Sequence, residues 1–220
     1  NEEPIFDAHD IARSMELWES VGYHQKIALP EGVELELLNA GHILGSSMAQ
    51  FSRGGRRVVI TGDLGGGNSP LLSLVEDPKE VNYLVMESVY GDRTRPMDEN
   101  RRDQLEDVIE NAVARGGTLL IPAFSTERTQ DLLFEIRALM VEKRVPNVPV
   151  FLDSPLAEEI TDSYLKEPDY FAPDIAARVR AGENIFAFPG RKVVKTPEPS
   201  HDIIKEPGSK IILAGSGMGQ

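Results

Sequence analysis

The first part of the chain carries one amphipathic stretch, followed by the short alternating patterns of β-strands. An apolar stripe at helical spacing behind the capping residue Asp7 predicts a helix over residues 7–21. Apolar and acidic residues then alternate over residues 33–40, which is the period of a half-buried strand. Gly54-Gly55 lies between two apolar runs and predicts a hairpin. Further strands are expected at residues 48–53, 56–61 and 83–86.

From residue 99 onward the pattern changes to helices and strands in alternation. Helices are expected at residues 99–115, 125–143 and 174–181, with another after Asp153-Ser154-Pro155. Short apolar strands are expected at residues 118–121, 148–152, 185–188 and 210–213. Pro122 is expected to end the first of these strands, and Ser125 or Thr126 to cap the helix that follows it. The alternation predicts parallel βαβ units, and we place a domain boundary near residue 93.

Composition narrows the class of protein without identifying it. The 220 residues are 40% hydrophobic and 27% charged, and no apolar run reaches the roughly 20 residues that span a bilayer. The start of the chain lacks the pattern of a signal peptide and cysteine is absent, so we expect a cytoplasmic location. A net charge of −13 argues against a nucleic-acid binder that depends on a bulk positive field, although a local basic groove is compatible with it.

Three residues that can carry metal chemistry follow predicted strands. His42 lies between Gly41 and Gly45, Asp63 follows in a glycine-rich loop, and Glu87 ends the strand at 83–86. Glycine-rich loops at strand ends are where functional sites gather, and imidazole with carboxylate is an ordinary donor set for zinc. Each residue alone has a plainer explanation, as a loop histidine, an aspartate that caps its own turn, and a surface or helix-cap acid.

Six sequence blocks, taken together, resemble one family. They are Ala40–Ser46, Thr61–Gly65, Glu87–Arg93, Ile121–Gln130, Asp153–Ala157 and Ser216–Met218. Their order and spacing resemble the β-CASP branch of the metallo-β-lactamase superfamily, and most closely its RNA-cleaving members, the relatives of the mRNA 3′-end cleavage factor. The resemblance implies an α/β fold, with part of a metallo-β-lactamase αββα lobe in residues 1–93. A β-CASP α/β domain with a mainly parallel sheet would occupy residues 94–220.

The resemblance also implies a zinc-dependent RNA phosphodiester hydrolase and assigns roles by position. His42 matches a ligand to one zinc, Asp63 the carboxylate that bridges two zincs, and Glu87 an acid that orients a catalytic histidine. Two zinc ions about 3.5–4 Å apart would activate water and stabilise the attacking and leaving oxygens. The residues matched to substrate binding are Ser125, Arg128, Ser154, Ser216, Gly217 and Met218. A surface arginine is the alternative for Arg128, and helix capping alone explains Ser154.

The chain also departs from the family pattern. The family's His-x-His-x-Asp-His run is absent, because the histidines of this chain are His9, His24, His42 and His201. The two later family histidines have no counterpart beyond the Ser-Gly-Met block. Val89 stands where threonine is usual in the family, and Glu127 stands where glycine is usual.

These departures predict an internal piece of a larger nuclease, inactive alone because two ligands leave most of a metal's coordination shell to water. RNA is the expected partner, with a homodimer as an option and no membrane. Two alternatives are a non-catalytic β-CASP scaffold in an RNA-processing complex and a small-molecule hydrolase of the metallo-β-lactamase fold. The retained His42, Asp63 and Glu87 argue against the scaffold, and the blocks at 121–130 and 153–157 argue against the small-molecule hydrolase.

Overall fold

The computed structural model describes residues 5–67, 69–93, 100–194, 200 and 202–215. The chain separates into two compact units, each assembled from discontinuous segments. Unit 1 consists of Asn1–Leu38, Ser47–Gly62 and Asp77–Met86. Unit 2 consists of Asn39–Ser46, Asp63–Glu76 and Glu87–Gln220. The sequence-based division into one domain before residue 93 and another after it stays a prediction.

The strands of the first sheet are β1 (Ile27–Leu29), β2 (Val33–Asn39), β3 (Ser47–Arg53), β4 (Arg56–Ile60) and β5 (Tyr83–Val85), in that spatial order. Strand β1 pairs antiparallel with β2, β3 pairs antiparallel with β4, and β5 pairs parallel with β4. Gly54 and Gly55 have φ angles of 57° and 75° and join β3 to β4, which confirms the predicted hairpin.

Helix α1 (Ala8–Met15) begins at the predicted cap, since the Asp7 carboxylate accepts hydrogen bonds from two backbone amides of the first turn. The helix ends at Met15, so the prediction of a helix to residue 21 is wrong at its far end. No residue of α1 is buried, and Trp18 beyond it is 75% exposed. A short helix depends on packing of its apolar face, and no residue of α1 obtains such packing within the described part of the chain.

The second unit contains, among its described residues, four α-helices and four strands. The helices are α2 (Arg101–Ala114), α3 (Arg128–Val141), α4 (Pro155–Tyr164) and α5 (Pro173–Arg180). The strands are β6 (Thr118–Ala123), β7 (Val150–Asp153), β8 (Arg191–Val193) and β9 (Lys210–Gly215). They lie in the order β6-β9-β7-β8 and every pairing is parallel, which confirms the predicted α/β class with a mainly parallel sheet.

The core of unit 2 packs helices against this parallel sheet. Helix α3 contributes the fully buried Leu133, Ile136 and Leu139, and the sheet contributes Leu152 and Leu213. Parallel strands covered by helices are apolar along most of their length, which is how β7 and β9 read in the sequence. No helix in the described part of the chain combines the length and the apolar character that a membrane crossing requires.

Three local predictions in this unit are wrong for physical reasons. Strand β6 continues through Pro122, because β6 lies at an edge of the sheet, where proline is tolerated. The apolar run 185–188 is a loop that places Ile185 and Phe186 in the core, and the neighbouring strand is β8. Helix α3 begins at Arg128, so Ser125 and Thr126 do not cap it.

Candidate functional site

The three predicted chemical residues all belong to unit 2, and the structure brings two of their side chains together. His42 Nε2 lies 3.8 Å from Asp63 Oδ2. Hydrogen bonds within the 40–46 loop hold the histidine in place: Ala40 N–H donates to the Ser46 carbonyl, and the Ser46 hydroxyl accepts from His42 N–H at 3.0 Å. The pair therefore forms from two separate loops.

Glycine makes the close approach of these two loops possible. Gly65 N–H donates to the Ala40 carbonyl at 2.9 Å, and a Cβ atom at Gly65 would lie 1.7 Å from the Gly41 carbonyl oxygen. Gly41 itself has a φ of 62°, and a Cβ there would lie 2.9 Å from Val75 N. Any side chain at either position would push the loops apart. Backbone therefore packs closely at Gly41 and Gly65, whereas a Cβ at Gly45 would meet no atom within 4 Å.

Glu87 fixes the loop that carries Asp63. Its Oε1 accepts a hydrogen bond of 2.7 Å from the backbone N–H of Leu64, the residue after Asp63. A carboxylate that accepts a backbone N–H so directly restricts the loop on both sides of that amide. Glu87 therefore belongs to the same site as His42 and Asp63, with a contact to backbone that the sequence does not reveal.

The donors suit part of a metal site. Zinc binds imidazole nitrogen and carboxylate oxygen at about 2.0–2.2 Å, so donors 3.8 Å apart can share one ion. The side chains are 44% and 74% exposed, which leaves them open to an ion and to substrate.

No further ligand joins this pair among the described residues. Elsewhere in the described part of the chain, at the start of α1, Asp7, His9 and Asp10 form a cluster of three potential ligands. Its two aspartates form the capping box of α1, which accounts for their proximity.

A second group of predicted residues meets where the parallel strands end. Ser125 follows β6 and Ser154 follows β7, and their hydroxyl oxygens lie 3.4 Å apart. A Cβ at Gly215, the last residue of β9, would lie 2.6 Å from Ser154 Oγ and 3.1 Å from Ser125 Oγ. Ser154 also caps α4 by accepting from Ala157 N–H. The predicted substrate residues Ser216, Gly217 and Met218 lie outside the described residues.

Arg128 is the first residue of α3 and follows an unusual turn. Glu127 has φ 61° and ψ −61°, and Arg128 N–H donates to the Thr126 carbonyl at 2.8 Å. This is a γ-turn with positive φ, a strained conformation for any residue other than glycine. The Arg128 side chain is about half exposed, and its Nη1 lies 3.7 Å from Asp131 Oδ2. A guanidinium beside a helix N-terminus is suited to an anion.

Gln130 supports Ser125 and Ser154, the serine group, from within the core. It is completely buried, and its Nε2 donates to the Ser125 carbonyl at 3.1 Å and to Thr161 Oγ1 at 2.9 Å. The side chain therefore ties the segment before α3 to helix α4. The sequence shows Gln130 as a member of a family block, but it does not show this contact.

Sequence reasoning misses two buried acids on α3 and its preceding turn. Glu127 and Asp131 are each about 95% buried. Burial raises the pKa of both carboxyls, and with the neighbouring Glu127 charge it raises the pKa of Asp131 to about 7. The one signal in the sequence is the glutamate itself, standing where glycine is usual in the family.

Comparison with known proteins agrees with the predicted fold class. The profile of the Beta-Casp domain matches residues 129–220. The chain is 33% identical over 218 residues to Ribonuclease TTHA0252 of Thermus thermophilus, covering 99% of this chain and 50% of that protein. It is 30% identical to the RNase J-like protein of Methanocaldococcus jannaschii, covering 98% of this chain and 50% of that protein.

A eukaryotic relative matches over the same extent. The chain is 28% identical to Endoribonuclease YSH1 of Saccharomyces cerevisiae, covering 99% of this chain and 28% of that protein. The chain thus spans half or less of the length of these curated relatives. Residues 129–220 belong to the Beta-Casp family, which agrees with the family that the six sequence blocks predict.

Proposed function

We propose that a longer protein containing this chain is a zinc-dependent ribonuclease of the β-CASP type. The observation that carries the proposal is the His42–Asp63 pair, 3.8 Å apart on two loops that Gly65 allows to touch. The relatives described above, a ribonuclease and an endoribonuclease among them, support RNA as the substrate class. The 3.8 Å separation of the donors is consistent with this chemistry and supports hydrolysis by a metal-activated water.

Each residue of the site has a definable part in this reaction. His42 Nε2 and Asp63 Oδ2 would hold zinc, which when bound supplies an activated water and positive charge beside the scissile phosphate. Glu87 keeps Asp63 in place through the Leu64 amide. Asp63 would be the carboxylate ligand, and its side chain is the more exposed of the two donors.

The serine group and Arg128 would bind the RNA backbone. Ser125 and Ser154 bring two hydroxyls together after strands β6 and β7, which flank β9 in the sheet, and Arg128 adds a positive charge at the start of α3. With a net charge of −13, the chain cannot attract RNA by its overall field. Binding would therefore depend on these local groups, and its affinity should fall with rising salt concentration. A homodimer and a cytoplasmic location stay predictions from the sequence.

This chain alone we propose to be inactive. Two protein donors hold zinc weakly, because the rest of the coordination shell is left to water. The scaffold alternative is less well supported, since a protein that never bound metal would have no need for an exposed histidine and aspartate held so close together.

The test is RNA cleavage by a longer protein that contains this chain, with a labelled single-stranded RNA and added zinc. His42→Ala and Asp63→Asn should each lower kcat by about 100-fold or more, because even outer-shell changes at metal sites cost roughly 10–100-fold. His24→Asn is the matched control, since His24 pairs with Glu36 in unit 1 and asparagine tolerates its positive φ. A His42→Ala protein that cleaves RNA with the wild-type kcat would contradict the proposal.

A further inference from the structure

A single hydroxyl lies between the two buried acids of unit 2. Ser69 Oγ is 2.8 Å from Glu127 Oε1 and 2.7 Å from Asp131 Oδ1, and it also accepts from Leu71 N–H at 3.1 Å. A serine hydroxyl has only one hydrogen to donate. If both acids were ionised, one of the two short contacts would join two oxygens with no hydrogen between them. One of the carboxyls must therefore carry a proton.

The remaining contacts identify Asp131 as the protonated acid. Tyr164 O–H donates to Glu127 Oε2 at 2.9 Å, so Glu127 as a carboxylate has two hydroxyl donors, Tyr164 and Ser69. Asp131 Oδ2 is buried and has no hydrogen-bond partner among the described residues, with Arg128 Nη1 3.7 Å away. A neutral carboxyl tolerates such a site far better than a carboxylate does. Asp131 Oδ1–H then donates to Ser69, and Ser69 donates to Glu127.

We propose that Glu127 and Asp131, the acid pair, hold one proton through Ser69 and position the His42 and Asp63 loops against the start of helix α3. Ser69 lies on the segment that continues from the Asp63 loop. Tyr164 connects to the other loop, because its hydroxyl accepts from Leu44 N–H at 3.5 Å. All of these residues lie in unit 2. The acid pair acts through loop backbone and does not contact substrate, so Glu127 and Asp131 are positioning residues.

The backbone of Glu127 supports a role for its side chain. The γ-turn at this residue has a positive φ and would suit glycine. A glutamate in this conformation is strained, and the strain persists only where other contacts outweigh it. The contacts of its carboxylate with Ser69 and Tyr164 supply that compensation.

The groups that face the acid pair favour one retained proton near neutral pH. Burial is the main cause that raises the pKa of Asp131, and the Glu127 charge adds to it. Arg128 on α3 and Arg101 on α2 oppose the rise. Tyr164 on α4 stays a donor, since burial raises its pKa well above the ordinary value. When Asp131 ionises, Ser69 can no longer serve both acids, and their repulsion loosens the link to both loops.

Carbon-13 NMR of the side-chain carboxyls tests this in the 220-residue chain without any substitution. The Asp131 carboxyl should titrate with a midpoint near its raised pKa of about 7, and Glu127 should ionise before it. The backbone amides of Leu44 and Leu71 should shift with the same midpoint. An Asp131 carboxyl that ionises in the ordinary range of about 4 would overturn the shared proton. An Asp131 midpoint near its raised value of about 7 with unresponsive Leu44 and Leu71 amides would overturn the positioning role.

Two variants sharpen the test. In Asp131→Asn the side-chain N–H replaces the carboxyl proton toward Ser69, so the Leu44 amide should keep its low-pH position and lose its pH dependence. Asp162→Asn is the control, because Asp162 is an exposed acid on α4. It should leave the titration of Leu44 unchanged. A Leu44 amide that still titrates with the wild-type midpoint in Asp131→Asn would also overturn the proposal. None of these outcomes depends on zinc or on RNA cleavage.

Discussion

Asp131 retains a proton that an exposed aspartate loses, and this has a consequence for folding. Its pKa is about 7 in the folded chain and about 3.9 in an unfolded one. Between those two values the folded state binds the proton and the unfolded state does not. Stability from this group is therefore complete below pH 4, falls as the pH rises toward 7, and changes no further above that.

Asparagine at position 131 should remove this dependence. Measured by urea denaturation, wild-type unfolding free energy should fall between pH 5 and pH 8 by on the order of 2 kcal/mol relative to Asp131→Asn. Asp162→Asn should follow the wild-type curve. Parallel wild-type and Asp131→Asn curves over this range would mean that Asp131 ionises normally in the folded chain.

The elements of the fold differ in how far local sequence determines them. Strands β2, β3 and β4 were predictable, because alternation and a Gly-Gly turn are local signals. In contrast, the continuation of β6 through Pro122 depends on the edge position of β6 in the sheet, and the burial of Ile185 depends on the core around it. The start of α3 depends on Glu127, whose conformation is held by contacts with distant residues.

The candidate site divides in the same way. His42, Asp63 and Glu87 could be grouped from the sequence, because each follows a strand and the glycines mark close backbone. The acid pair could not, because Ser69 is 58 residues from Glu127 and 62 from Asp131 along the chain. Only the fold places that hydroxyl between the two acids.

The contact of the two loops at Gly65 yields a direct prediction. Gly65→Ala would place a methyl group 1.7 Å from the Gly41 carbonyl oxygen and 2.9 Å from His42 N, so backbone must move. Urea denaturation should show a loss of about 1–3 kcal/mol, the typical cost of overpacking. Gly22→Ala is the matched control, since no atom lies within 4 Å of its added Cβ. Equal stabilities of the two variants would contradict the close approach.

At the scale of the whole molecule, the chain carries a well-formed part of a site and lacks a complete ligand set among its described residues. Its two donors are held by loops that glycine and Glu87 fix in place. It spans half or less of the length of relatives such as Ribonuclease TTHA0252. The proposed activity therefore belongs to a longer protein, in which further ligands would join His42 and Asp63.

Zinc content, measured together with RNA cleavage, tests this account most directly. A longer protein that contains this chain should bind two zinc ions per molecule and cut single-stranded RNA, and chelation should abolish the cleavage. The 220-residue chain alone should bind zinc weakly and leave the RNA intact. A longer protein that binds no zinc would contradict the nuclease proposal. If the 220-residue chain alone bound two zinc ions tightly and cleaved RNA, the proposal that its metal site is incomplete would be contradicted.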